Sequence, residues 1–160
     1  PYLTGERTPH KDPYAKGAFI GLSLRHTRAH MARAVLEGVA FGMRDGLEII
    51  REMGVAVSEI RASGGGARSM LWRQILADTG GAPIVTINVD EGPAYGAALL
   101  GMVGAGIYRT VEEACDATIR VTQTTTPDSA RAKRYEPWYR LYRDAYTALA
   151  PLYKRASTIV

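Results

Sequence analysis

An α/β layered domain is the fold class that this 160-residue sequence predicts, and three observations carry it. Segments with helical and strand-like periodicity alternate along the chain. A triple glycine, Gly64-Gly65-Gly66, joins the end of one strand to the start of a helix. Apolar residues make up 46% of the sequence, enough for a chain of this length to bury a core.

The elements follow in order. Residues 1 to 26 are rich in Pro, Gly and charge, so Thr4 to Lys16 reads as an irregular segment leading to a short strand, Ala18 to Leu22. Thr27 caps a long helix reaching about Met53, with Met31, Val35, Val39, Met43, Leu47 and Ile50 as its buried stripe. Gly38, Gly42 and Gly46 recur every fourth residue in that helix. Each costs about 1 kcal/mol against Ala, so the spacing predicts close contact with another element. Gly54 ends the helix, and Ile60 to Ser63 forms a strand running into the triple glycine.

A second helix, Ser69 to Thr79, turns Leu71, Ile75 and Leu76 to the core and stops at Gly80-Gly81. Pro83 to Val89 is the next strand, and Glu91-Gly92-Pro93 turns into a small-residue helix, Ala94 to Val103. Residues 111 to 117 form at most a short helix, and Thr122 to Asp128 is a loop or edge strand. The last helix spans Ala130 to Leu149 with an aromatic stripe of Tyr135, Trp138, Tyr142, Ala145 and Leu149.

Composition excludes several function classes. The net charge of +4 suits an anionic ligand such as a nucleotide or sugar phosphate and equally suits an ordinary basic protein. Lys and Arg are scattered among Asp and Glu, which argues against a nucleic-acid surface. Cys115 is the only cysteine, so neither an internal disulfide nor a cysteine metal cluster can form; a half-buried core thiol is expected. His10, His26 and His30 are spread over a loop, a turn and a helix start, which gives no metal site. No run of about 18 apolar residues is present, and a soluble cytoplasmic protein without membrane contact is expected. The opening at Pro1-Tyr2-Leu3 without Met reads as the middle of a longer polypeptide.

The strongest local feature is Ile60 to Ser69. Glycines admit backbone conformations closed to other residues and remove the Cβ atoms that would exclude a ligand. Backbone N–H groups at the following helix start then face an anion or a polar ring edge. No Gly-Lys-Ser/Thr follows, so it is not a P-loop, and it is not a dinucleotide fingerprint. Two readings stay open, a ligand-binding turn and a tight structural turn, with Ser69 as a plain helix cap in the second. Arg68 either reaches phosphate or is solvated.

The second turn, Asp90 to Ala98, begins a helix in the same manner, and Asp90 and Glu91 suit its start as caps. Glu37, in apolar surroundings, needs a partner. Arg44 and Glu48 form an i,i+4 pair, and Asp45 reads as structural. Gly5 to His10 and Asp12-Pro13 form a polar loop that either serves a site or is solvated.

Gly17-Ala18-Phe19-Ile20-Gly21-Leu22, followed after seven residues by His30-Met31-Ala32-Arg33-Ala34-Val35-Leu36-Glu37, closely resembles the second signature of the FGGY carbohydrate kinases. Pro1 to Pro9 is similar to the preceding loop as the xylulokinases have it. The resemblance continues through Arg44-Asp45, Gly64 to Ser69, Trp72 to Asp78 and Gly92 to Ala98, covering roughly residues 1 to 110.

The resemblance implies a ribonuclease-H-like domain of the actin and hexokinase type, with residues 1–160 as the nucleotide-binding portion of a carboxyl-terminal kinase domain. It implies ATP and Mg2+ as cofactors and a small sugar as substrate, most nearly D-xylulose, with glycerol, ribulose or gluconate as the alternatives. Gly65 would contact the nucleotide through its backbone, Gly64 and Gly66 would shape the turn, and Ser69 would stand near the adenine, where related glycerol kinases have Asn. The general base and the phosphate loop would lie upstream of Pro1 in an amino-terminal kinase domain, so no catalytic residue is expected within this chain, and the chain alone is expected to be inactive. Homodimers occur in the family, and a non-catalytic assembly module is the reading of a different class.

Overall fold

The computed structural model describes residues 1–89 and 92–159. Their order is α1 (Arg28–Glu52), β1 (Ile60–Ala62), a 3-10 turn (Gly65–Arg68), α2 (Met70–Gly80), β2 (Ile84–Ile87), α3 (Gly92–Gly104), α4 (Val111–Thr118), β3 (Val121–Thr125) and α5 (Ser129–Ala156). β1 and β2 run parallel with α2 as the crossover, and Ile60 stands opposite Ile84 and Ala62 opposite Thr86. β3 closes the other edge of β2 antiparallel, pairing Ile84 with Thr125, and its register shifts between Thr86 and Ile87. The expected α/β layering is therefore present.

Local chemistry explains most boundaries. His30 Nδ1 accepts the backbone N–H of Thr27 at 3.1 Å, the part that Glu plays in a capping box. Gly54, at φ +84°, terminates α1 and donates its N–H to the Arg51 carbonyl at 2.9 Å. Ser69 Oγ caps α2 by accepting the Trp72 N–H at 3.3 Å, and Gly81 ends the helix in the left-handed region at φ +65°. Thr110 and Asp128 cap α4 and α5 with their side-chain oxygens.

Two packed regions hold the domain. Ile75 of α2 and Ile84 of β2 are fully buried, with Ala77, Ala82 and Val85 around them. Between α1 and α5, Phe41 packs against Tyr135, Tyr139 and Tyr142 at ring-centroid separations of 5.9, 5.8 and 5.5 Å.

Several expectations fail, each for a physical reason. Ala18 to Leu22 forms no strand, and Ile20 is 63% exposed; a strand needs a neighbour for its backbone groups, and none pairs with it among the described residues. Met31, Val35, Met43 and Ile50 of α1 are exposed, while Ala40, Phe41 and Asp45 are buried. The inner face of α1 is instead chosen by polar groups that find partners on α5. Tyr135 donates its hydroxyl to Glu37 at 2.8 Å, Tyr139 donates to Asp45 at 2.7 Å, and Arg44 pairs with Glu136 at 2.8 Å.

On α5 the buried aromatics are Tyr135 and Tyr139; Trp138 is 62% exposed, one position out of register with the packed face. α5 also runs past Pro151 to Ala156, beyond the expected end at Leu149. Leu71 points outward because Arg73 and Ala77, not Leu71, occupy the inner face of α2. Of the three glycines in α1, a Cβ on Gly42 would lie 3.3 Å from Tyr142 Oη, and one on Gly38 would lie 3.8 Å from Pro1; Gly46 meets nothing within 4 Å. The close approach is real at two positions and is made to side chains.

Candidate functional site

The glycine turn sits where β1 delivers the chain to α2, at the carboxyl end of a parallel pair, the usual location of ligand crevices in such sheets. Its three glycines differ in what they do. Gly64 has φ +81°, a conformation that an L side chain strains to adopt. A Cβ on Gly66 would come within 2.6 Å of Trp72 Cε3, so the indole occupies the space under the turn. Gly65 meets nothing within 4 Å where its Cβ would stand. Two glycines are therefore required by the fold, and the third presents open backbone to the outside.

The turn is held from within by two hydrogen bonds, Ala67 N–H to the Gly64 carbonyl and Ser69 N–H to the Gly66 carbonyl, both 3.1 Å. Because Ser69 Oγ accepts from Trp72 N–H, its own proton remains to be donated outward. The eleven-residue α2 begins here, and its first amides carry the positive end of the helix dipole. Gly65 and Ser69 are exposed, and Gly64 and Gly66 are half-buried.

Beside it lies a cavity of about 290 Å3, lined among others by Ser63, Ala67, Arg68, Arg73, Thr86 and Gln123. The three glycines do not line it; the cavity and the open face of Gly65 are neighbouring surfaces of the same turn. Arg73 is the residue that sequence reasoning missed. It is 7% exposed and donates to the Ala67 carbonyl, to Gln123 Oε1 at 2.7 Å and to Thr125 Oγ1 at 3.4 Å. The available signal was its place four residues before Ala77, on the buried face of α2.

The second turn approaches the first through Gly92, where a Cβ would stand 3.0 Å from Ser63 Oγ. Asp90 and Glu91, expected as caps, lie outside the described residues. Glu37 finds its partner in Arg33, at 2.6 Å, and the Arg44–Glu48 pair forms at 3.2 Å. Asp45 is buried, accepts from Tyr139 and has an unpartnered Oδ2; burial pushes its carboxyl above the usual range.

The polar loop at the start of the chain neither joins the glycine turn nor hangs in solvent. Its Tyr2 hydroxyl contacts the Tyr142 hydroxyl, His10 stacks on Tyr146 at 3.5 Å, and Asp12 accepts from Tyr146 at 3.0 Å, which fastens it to α5. Cys115 is half-buried, as expected. Among the described residues no group of three or more His, Cys, Asp and Glu is disposed to hold a metal, and no helix is long and apolar enough to cross a membrane.

Residues 1–105 match the model of the FGGY family of carbohydrate kinases, C-terminal domain, and the chain belongs to that family. Among similar curated proteins, the xylulose kinase of Staphylococcus epidermidis is 40% identical over 146 residues, covering 91% of this chain and 29% of the relative. Ligand-bound xylulose kinase from Lactobacillus acidophilus superposes with a TM-score of 0.88 at 31% identity, over 97% of this chain and 31% of that one. Gluconate kinase from the same organism gives 0.85 at 31% identity, over 97% and 31%. The chain thus spans under a third of the length of the relatives it matches.

Proposed function

We propose that residues 1–160 are the nucleotide-binding portion of the carboxyl-terminal domain of an ATP-dependent sugar kinase, with D-xylulose as the substrate of the whole protein. The domain is read as ribonuclease-H-like, of the actin and hexokinase type. The observation that carries the nucleotide reading is the division of labour in the glycine turn. Gly64 and Gly66 serve the backbone and Trp72, whereas Gly65 is open and needs no glycine for packing.

A nucleotide lying across Gly64, Gly65 and Gly66 would approach the Gly65 backbone without meeting a side chain. Ser69 would donate its hydroxyl proton to an acceptor on the base, and the start of α2 would favour nearby negative charge. This fits the adenosine end of ATP. Mg2+ fits this chain less well, because no cluster of acidic side chains is disposed to hold it among the described residues. ATP supplies the phosphoryl group; this chain's residues bind and orient. An amino-terminal kinase domain would bring the general base, and positioning across the closed cleft would supply most of the rate.

The xylulose kinases among the relatives support a pentulose substrate, while the similarity to gluconate kinase keeps gluconate as the second candidate. Calorimetric titration of this chain with ADP in magnesium buffer tests the nucleotide reading: weak, saturable binding at one site supports it, and no heat of binding counts against it. Phosphorylation by the longer protein, compared for D-xylulose, gluconate, ribulose and glycerol, tests the sugar.

A further inference from the structure

We propose that Arg73 is a positioning residue for the nucleotide turn, acting through the Ala67 carbonyl and steered by Gln123 on β3. The inference rests on the nucleotide reading above. Arg73 lies on α2, four residues after the cap Ser69, and its backbone N–H donates to the Ser69 carbonyl at 2.9 Å. Its side chain runs back under the turn, where Nη1 donates to the Ala67 carbonyl and Nη2 to Gln123 Oε1 at 2.7 Å. The more distant Nε contact to Thr125 Oγ1 completes the span to the edge strand.

The partners of this guanidinium are all neutral. Among the described residues none of its ion pairs or hydrogen bonds involves a carboxylate, although the group is 7% exposed. Burying a cation against neutral acceptors costs stability that an apolar side chain of similar size would not. What the arrangement gains is geometric. A planar fork with several donors spans a carbonyl on the turn and an amide on β3 at once, which a single ammonium does not reproduce.

Ala67 is hydrogen-bonded to Gly64 through its N–H and to Arg73 through its carbonyl, so its peptide groups are held on both sides of the residue. Trp72 supports the same turn from beneath Gly66. Loosening Arg73 frees the Ala67 carbonyl and slackens the turn that presents Gly65, and a nucleotide then has to order the turn as it binds. β3 thereby becomes part of the nucleotide site without touching the nucleotide.

The test compares Arg73→Lys, Gln123→Leu and, as a control on the same exposed strand, Thr124→Ala. ADP affinity is measured by calorimetry well below each variant's unfolding temperature, and the KM for ATP and for the sugar are measured in the longer protein. Arg73→Lys is expected to weaken ADP on the order of tenfold, and Gln123→Leu by several-fold, from the loss of charged hydrogen bonds. The KM for ATP should rise with the KM for the sugar unchanged. Gln123 is exposed, so its variant keeps the test alive should Arg73→Lys unfold. ADP binding by the parent chain that is equally tight in Arg73→Lys and Gln123→Leu overturns this inference alone. No ADP binding by the parent chain overturns the nucleotide reading and this inference with it.

Discussion

Asp78 of α2 and Arg131 of α5 meet at 2.7 Å, although the Asp78 side chain is only 2% exposed and Arg131 is nearly half exposed. The buried carboxylate also accepts the Asp128 N–H at 2.7 Å and Gln74 Nε2 at 2.8 Å. One side chain thus fixes where α5 starts relative to the α2 layer. Asp78→Ala would remove the acceptor of the Asp128 N–H, while Gln74 keeps the Thr126 carbonyl and half-exposed Arg131 keeps Asp128 and water, and a loss of about 2 kcal/mol is expected. Urea unfolding should show a lowered midpoint with an unchanged slope. A midpoint within error of the parent's would mean that α5 is anchored by its aromatic contacts alone.

The three glycines of the turn should respond differently to the same substitution. Gly66→Ala drives a methyl into Trp72 and is expected to cost about 1–3 kcal/mol, and Trp72→Leu in the same chain should recover part of it. Gly64→Ala forces an L residue into φ +81°, ψ −177°, a region essentially reserved for glycine, and costs roughly 1–3 kcal/mol. Gly65→Ala should leave stability within about 0.5 kcal/mol while weakening ADP, since its methyl enters open space on the ligand side. Equal stability losses at Gly65 and Gly66, with no change in ADP affinity at Gly65, would return the turn to a purely structural role.

These contrasts also mark what was legible in the sequence. Ser69 and Gly81 announce the ends of α2 because caps and left-handed glycines act within a few residues of one another. The glycine turn was visible for the same reason. What could not be read was the inner face of α1, because half-buried Glu37 and buried Asp45 find their partners in Tyr135 and Tyr139, which lie 98 and 94 positions away. Periodicity ranked Val35 and Met43 as core on apolarity alone. Arg73 was hidden similarly, since its anchor Gln123 is 50 positions distant, and an isolated Arg in a helix reads as solvated. Trp138 and Tyr139 are adjacent aromatics, and only the crossing of α5 over α1 decides which of them is inside.

The tyrosines joining the opening loop to α5 give the protein an alkaline limit. Burial pushes Tyr2 up to about 12; its hydrogen bond with Tyr142 works in the opposite direction. Burial and the hydrogen bond to Asp12 push Tyr146 up to about 12. Tyr139 and Tyr142 are raised as well, chiefly by burial. A phenol whose pKa is higher in the folded state than its ordinary value of about 10 contributes stability that is fully present below that value and is lost as pH rises through the folded pKa. Stability should therefore fall between about pH 10 and about pH 12. Tyrosinate absorbance and circular dichroism should change together over that range, and Tyr146→Phe should reduce the steepness. Tyrosinate signal completed near pH 10 with the fold intact would contradict the assignment.

The apolar outer face of α1 predicts how this chain behaves alone. Met31, Val35, Met43 and Ile50 are 36, 50, 50 and 41% exposed, and Phe19, Ile20, Leu22 and Leu24 just before the helix are exposed too. Spacings of four, eight and seven residues keep these side chains on one side of the helix, and a contiguous apolar stripe favours association. Sedimentation velocity should therefore show concentration-dependent self-association of the 160-residue chain. Val35→Lys and Met43→Lys place charges on the stripe at exposed positions, with good helix formers, so unfolding free energies should stay within about 0.5 kcal/mol of the parent. Their effect should be to shift the distribution to monomer. Association that persists in both variants would move the adhesive surface elsewhere, most simply to the exposed Trp138 and Leu141 of α5. A parent chain that stays monomeric at every concentration would show that the α1 stripe is too narrow to drive contact without a larger complementary surface.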